Sequence, residues 1–257
     1  MTHYEWEAPG PYRVVFSTRN GGVSEPPFAT LNLGRKLGDD PERVDENRRR
    51  LCEYAGADPG RLAMNYQVHS SRVNRGRAGA RGETGDGLWT DEPGVPLLAL
   101  TADCVPVALA REDGPPALAV LHAGRIGLLG GIVAEGVRAL KAASDESESR
   151  RRAAGNRARL RRPLGGRVRA AIGPAAGPCC YEVGDEILQR YRARFGPSVL
   201  RGRNLDLWRA TELALREAGV AHVHRFDLCT ICNPDLFFSY RRDGTPRGGQ
   251  GVLALVG

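Results

Sequence analysis

Apolar residues fall in short unbroken blocks along much of this chain. "LLALTAD" (97–103), "VPVALA" (105–110) and "ALAVLHA" (117–123) show almost no polar alternation. Blocks of this length and content predict short strands, the first two of them buried. "YRVVFSTR" (12–19) alternates and predicts a strand, and so do "VRAAIG", "AHVHRFD", "LFFSY" and "GVLALV" further on. Elsewhere the period lengthens to that of a helix. "DPERVDENRRRLCEYAGA" offers Asp40 as N-cap, Pro41 at the first helical position and Gly56 as a stop, with Val44, Leu51 and Ala55 on one face. "GRIGLLGGIVAEGVRALKAAS" predicts one helix with Leu129, Ile132, Val133, Val137 and Leu140 inward. "DEILQRYRARF" and "DLWRATELALREAG" predict two more amphipathic helices. Helices and strands are mixed without strict alternation. The expected fold is α+β, or mixed α/β: a single domain over 1–257, with a mixed β-sheet core flanked by helices.

Composition changes this picture little. The chain has 257 residues, 41% of them hydrophobic and 26% charged, which is enough for one large domain. No apolar stretch reaches the length of a membrane span. The opening "MTHYEWEAPGPYRVVF" lacks the basic-then-apolar pattern of a secretion signal, so a cytoplasmic location is expected. Six cysteines then read as thiols or ligands rather than disulfides. The net charge is +7, and 35 of the 37 basic residues are arginine. Nine of these crowd into residues 149–169. Such a run can contact nucleic-acid phosphates, but no aromatics interleave it for base stacking. We read 143–166 as a solvated, disordered arginine-rich insertion rather than a nucleic-acid site.

The candidate chemistry is concentrated. Cys104 follows Asp103 at the end of one apolar block, and His122 ends another. Together with His69 they make a set of two nitrogens and one sulfur that zinc accepts. Their separations form no local signature. A buried cysteine packed as a small hydrophobe, and a histidine merely hydrogen-bonded at a strand end, remain open readings. So does a cysteine nucleophile with a histidine base. A second cluster, His222, His224, Cys229 and Cys232, contains Cys-x-x-Cys spacing, a weak signal for zinc or redox work; Cys179-Cys180 is a vicinal pair in a turn.

Five motifs in order carry a resemblance: "NYQVHSSRV", "TADCVPV", "AVLHAG", "AAIGPAAGPCCYEVGDEI" and "CTICNPDLFFSYRRDG". From "STRNGGVS" to "GVLALV" the chain resembles the laccase-domain family, also called multicopper polyphenol oxidase-like proteins. Members are described as purine nucleoside phosphorylases, and bacterial ones also as peptidoglycan editing factors. The resemblance implies a catalytic zinc held by His69, Cys104 and His122, with Arg19 of "TRNGGVS" in the active site, where its planar guanidinium can hold phosphate. It implies cleavage of adenosine and inosine by phosphate, with 5′-methylthioadenosine cleavage and adenosine deamination in related members. The partners expected are purine nucleosides and phosphate. The chain departs from the family at "HAGRIG", where "HAGWRG" is usual; Arg125 would then supply the missing charge from one position earlier. Other readings are a metal-independent cysteine hydrolase using Cys104 and a histidine, and a role in editing cell-wall precursors. A copper polyphenol oxidase fits poorly, because five histidines are few for several copper ions.

Overall fold

The computed structural model describes residues 3–153 and 166–257. Among these, two six-stranded mixed sheets lie face to face with helices outside each, a mixed α/β domain as expected. The strands are β1 (Tyr4–Glu5), β2 (Tyr12–Phe16), β3 (Ala63–Tyr66), β4 (Val73–Arg75), β5 (Arg81–Thr84), β6 (Gly87–Thr90) and β7 (Leu97–Thr101). There follow β8 (Val105–Arg111), β9 (Leu118–Ala123), β10 (Val168–Ile172), β11 (Leu200–Arg201), β12 (Asn204–Leu205), β13 (His222–Arg225) and β14 (Gln250–Val256). The helices are α1 (Pro41–Tyr54), α2 (Arg125–Leu129), α3 (Ile132–Ala153), α4 (Asp185–Phe195), α5 (Leu207–Glu217) and α6 (Tyr240–Asp243). One sheet has the order β1-β2-β14-β7-β3-β5 and the other β13-β10-β8-β9-β6-β4.

The unbroken apolar blocks follow from this layering. Along β9, Leu118 and Val120 face the space between the sheets, while Ala119, Leu121 and Ala123 face the helices. Along β14, Val252, Ala254 and Val256 point between the sheets, and Leu253 and Leu255 point toward α1. Each central strand has core on both sides, so neither parity can be polar. Helix α1 starts as expected, with the Asp40 carboxylate accepting from the Glu42 N–H at 2.9 Å, and it buries Val44 and Leu51. Helices α3 and α5 cover the second sheet through Val133, Val137, Leu140, Trp208 and Leu215.

Two expectations change, and a third falls partly outside the described residues. The segment predicted as one helix from 124 is two, because Gly130 and Gly131 (φ 87°) break it and turn α3 back onto β9. "LFFSY" is not a strand: Phe237 and Phe238 are fully buried, but the Phe238 N–H and C=O pair with the Gln250 side chain instead of a neighbouring strand. Helix α3 extends to Ala153, into the stretch read as an insertion, and residues 154–165 of that stretch lie outside the described residues.

Candidate metal centre and active-site cavity

Strand register assembles the centre. In the β8–β9 pair Val105 lies opposite Ala123 and Pro106 opposite His122, which puts Cys104 beside the end of β9. Strand β6 flanks β9 on its other side, and Gly87 pairs with Leu121. Asp86 therefore sits next to His122, whose N–H donates to the Asp86 C=O at 2.7 Å. His69 comes from the crossing between β3 in one sheet and β4 in the other, with φ at 61°. His69 Nε2 is 3.8 Å from Cys104 Sγ, and the His69 and His122 rings meet edge to face at 4.8 Å. One ligand atom from each of the three lies within 4.8 Å of the others, so together they could hold a metal ion.

Asp86 fastens this arrangement. Its carboxylate accepts from the backbone N–H groups of Val68, His69 and Ser70 at 3.2, 2.9 and 2.6 Å, and from Ser70 Oγ at 2.7 Å. It also pairs with His122 Nδ1 at 2.8 Å. One buried carboxylate thus sets the turn carrying His69 and orients the His122 ring, leaving Nε2 of His122 for the centre. Burial alone would raise the Asp86 carboxyl, but His122 and Ser70 outweigh it and hold it well below the ordinary carboxylate range. Burial would likewise raise the Cys104 thiol, yet the His122 and His69 rings bring it down to about 6. Against burial, Cys104 and Asp86 raise His122 to about 9. Without metal, both shifts favour a thiolate facing an imidazolium.

Gly124 is required by space. A Cβ there would lie 2.7 Å from His69 Cδ2 and 3.1 Å from Cys104 Sγ. Asp103 supports the site from behind. At φ 93° it accepts from Thr230 Oγ1 and from the Arg241 N–H, both at 2.6 Å. Gln67 fastens the approach to His69 by exchanging two 2.8 Å hydrogen bonds with the backbone of Leu100.

His69, Cys104 and His122 border a cavity of about 790 Å³. Its wall carries Arg35, Lys36, Arg48, Arg81, Arg125, Arg241 and Arg247, against the single carboxylate of Asp103. Tyr66, Ile126 and Tyr240, three of the four exposed large hydrophobics among the described residues, line it too. Arg247 stands out. Its Nε is buried without a hydrogen-bond partner, and desolvation lowers its pKa.

Arg125, at the start of α2, lines this cavity. Arg19 does not line it. Its guanidinium donates to the carbonyls of Ala29 and Pro234, each at 2.9 Å, and lies 4.5 Å from the Phe238 ring centroid. Those contacts tie the loop after β2 to the segment before α6. His222 and His224 lie on exposed positions of β13, away from Cys229 and Cys232, whose nearby thiols are instead Cys179 and Cys180. Asp86, Gly124 and Arg247 were not foreseen. "TGDGLW" carries no spacing signal, and a glycine's missing Cβ matters only once its neighbours are placed.

A family model described as multi-copper polyphenol oxidoreductase laccase matches residues 13–256. The chain belongs to that family. Among the described residues, the histidines that join a group able to hold a metal ion are His69 and His122. A Corynebacterium glutamicum relative named purine nucleoside phosphorylase is 35% identical, with 95% of each chain covered. One of the same name from Geobacillus stearothermophilus is 36% identical, covering 94% of this chain and 88% of the relative. The crystal structure of that protein, YlmD, superposes with a TM-score of 0.84 at 32% identity, covering 100% of this chain and 96% of the other. A Neisseria meningitidis protein gives 0.81 at 29% identity, covering 100% and 99%. No helix among the described residues is long and apolar enough to cross a membrane.

Proposed function

We propose that this chain is a zinc-dependent purine nucleoside phosphorylase acting on adenosine, inosine and 5′-methylthioadenosine. The observation that carries the reading is the placement of His69, Cys104 and His122 against a large cavity whose wall is cationic and partly aromatic. The relatives' name adds to it. Two imidazoles and a thiolate are a donor set suited to zinc, and Gly124 leaves room beside them. When bound, zinc would supply a Lewis acid to the substrate.

The reaction breaks the bond between C1′ of the ribose and the purine nitrogen, whose electron pair leaves with the base. A phosphate oxygen forms the new bond to C1′, giving ribose 1-phosphate. The sugar passes through a cation-like state, so the attacking anion must be held close and the site kept short of water. Arg125, Arg241 and Arg247 supply positive charge for that anion. Tyr66 and Tyr240 offer aromatic faces to the purine. Asp86 holds the proton on His122 Nδ1, so that Nε2 is the nitrogen that gives up its proton and becomes the lone-pair donor when metal binds.

The lowered thiol of Cys104 beside two histidines favours a second reading, a metal-independent cysteine hydrolase. One experiment separates them. Purified protein, as prepared and after chelation, is incubated with adenosine, inosine and 5′-methylthioadenosine, with and without phosphate. Free base with ribose 1-phosphate, lost on chelation, supports the phosphorylase. Undiminished phosphate-independent cleavage in the chelated protein overturns it in favour of the hydrolase. Ammonia release reports whether deamination accompanies it.

A further inference from the structure

Four of the six cysteines meet outside the cavity. Cys179 and Cys180 lie in the turn after β10, and Cys229 and Cys232 in the turn after β13. All four Sγ atoms lie within 4.8 Å of one another. Cys232 Sγ is 3.5 Å from Cys179 Sγ and 3.3 Å from Cys180 Sγ. A disulfide requires a separation near 2.05 Å, and all six cysteines are free. Four thiolates around one tetrahedral zinc, each about 2.3 Å from it, would stand roughly 3.8 Å apart. The cluster has the size of that cage.

The backbone is built to present it. Ala175 and Cys229 form a parallel bridge, with the Thr230 N–H donating to the Ala175 C=O at 3.0 Å. Gly177 then approaches Cys229 so closely that a Cβ would lie 3.2 Å from the cysteine's own Cβ and 2.7 Å from the Trp208 ring. The Gly177 N–H donates to Cys229 Sγ at 3.3 Å. An amide aimed at a sulfur is the outer-shell support a metal thiolate takes. Asn233 Nδ2 donates to the Cys229 C=O at 2.8 Å, and Asn204 Nδ2 to the Pro178 C=O at 2.9 Å, pinning both turns.

We infer that Cys179, Cys180, Cys229 and Cys232 form a second metal site, a closed tetrathiolate centre for one thiophilic divalent cation of the zinc class. Its role is structural. It clasps the turn that leads into Tyr181, a cavity residue, to the turn that carries Thr230, the partner of Asp103. It does not depend on the catalytic reading, because its ligands are separate from His69, Cys104 and His122.

The test uses the full chain bearing Cys104→Ala, which removes the sulfur of the other centre. The metal-free variant is titrated with cobalt(II) under reducing conditions, then with zinc. Expected are one ion per chain, sulfur-to-cobalt charge-transfer absorption of four-thiolate intensity, its displacement by zinc, and a rise in the unfolding temperature with zinc alone. Adding Cys179→Ser and Cys232→Ser should remove the absorption and the thermal shift. Should that variant fail to fold, the stoichiometry and spectrum of Cys104→Ala still decide. No bound ion, an ion without thiolate absorption, or a Cys179–Cys232 or Cys180–Cys232 disulfide persisting under reductant would overturn the inference.

Discussion

The two candidate ligand clusters of this molecule are built on opposite plans. His69, Cys104 and His122 come from strand ends and an intersheet crossing, supply three donors, and border a cavity of about 790 Å³. Cys179, Cys180, Cys229 and Cys232 come from two turns, supply four donors of one kind, and lie outside that cavity. Three donors beside a cavity leave room for a reacting molecule, whereas four thiols leave none. The first cluster is fixed by a buried carboxylate, Asp86, and the second by backbone contact at Gly177. Chemistry and clasping thus make different demands on the supporting structure. Reaction needs oriented rings with controlled protonation, and a clasp needs only closeness.

The contrast breaks most sharply at Cys104. Cys104→Ala is expected to reduce phosphate-dependent nucleoside cleavage to background, with the fold retained and one ion per chain left in the thiol cluster. Product analysis with elemental analysis checks both halves. Cys229→Ser should do the reverse. It should lower the unfolding temperature by roughly 10 °C, the scale of losing about 4 kcal/mol of metal-linked stability in a domain of this size. Differential scanning calorimetry of the zinc-loaded proteins measures it, and an unchanged temperature would show that the cluster clasps nothing.

Asp86→Asn should weaken metal binding at the His/Cys centre by about 10–100-fold while sparing the thiol cluster. Competition with a chelator of known affinity reads this. The stability linked to Asp86 has a defined sign. Its carboxyl is depressed in the fold, so its contribution is complete above the ordinary carboxyl value of about 3.9 and is lost as pH falls through and below it. Acid titrations of wild type and Asp86→Asn should therefore converge at low pH.

A smaller effect concerns protons. Because Cys104 is lowered and His122 raised, each by the other, the metal-free centre is expected at pH 7.5 to hold the thiolate and to keep the imidazolium proton. Metal uptake by a Cys179→Ser/Cys232→Ser chain should release about one proton, from His122. Calorimetry in buffers of different ionisation enthalpy counts it. The smallest change expected is at Arg247. Arg247→Ala should raise the KM for phosphate about 10-fold, some 1.4 kcal/mol, with metal content unchanged. Arg19→Ala should instead lower stability, because it releases the Ala29 and Pro234 carbonyls.

Much of the fold was readable in the chain itself. Unbroken apolar blocks mark strands with core on both faces, and Asp40-Pro41 marks the start of α1. Both signals are local, because burial period and N-capping act within a few residues. The family motifs likewise pointed to His69, Cys104 and His122. Three things only the tertiary structure decided. "LFFSY" has strand composition, but a side chain, Gln250, takes the hydrogen bonds a neighbouring strand would have used. Asp86 looks like any loop acid until the β6–β9 register places it against His122 and the 68–70 turn. Cys179 and Cys180 lie some fifty residues from Cys229 and Cys232, and their meeting depends on the Ala175–Cys229 bridge. Propensity and period are written in neighbouring residues. Which distant side chains share a carboxylate or a sulfur cage is set by strand register and chain crossing, which no local pattern encodes.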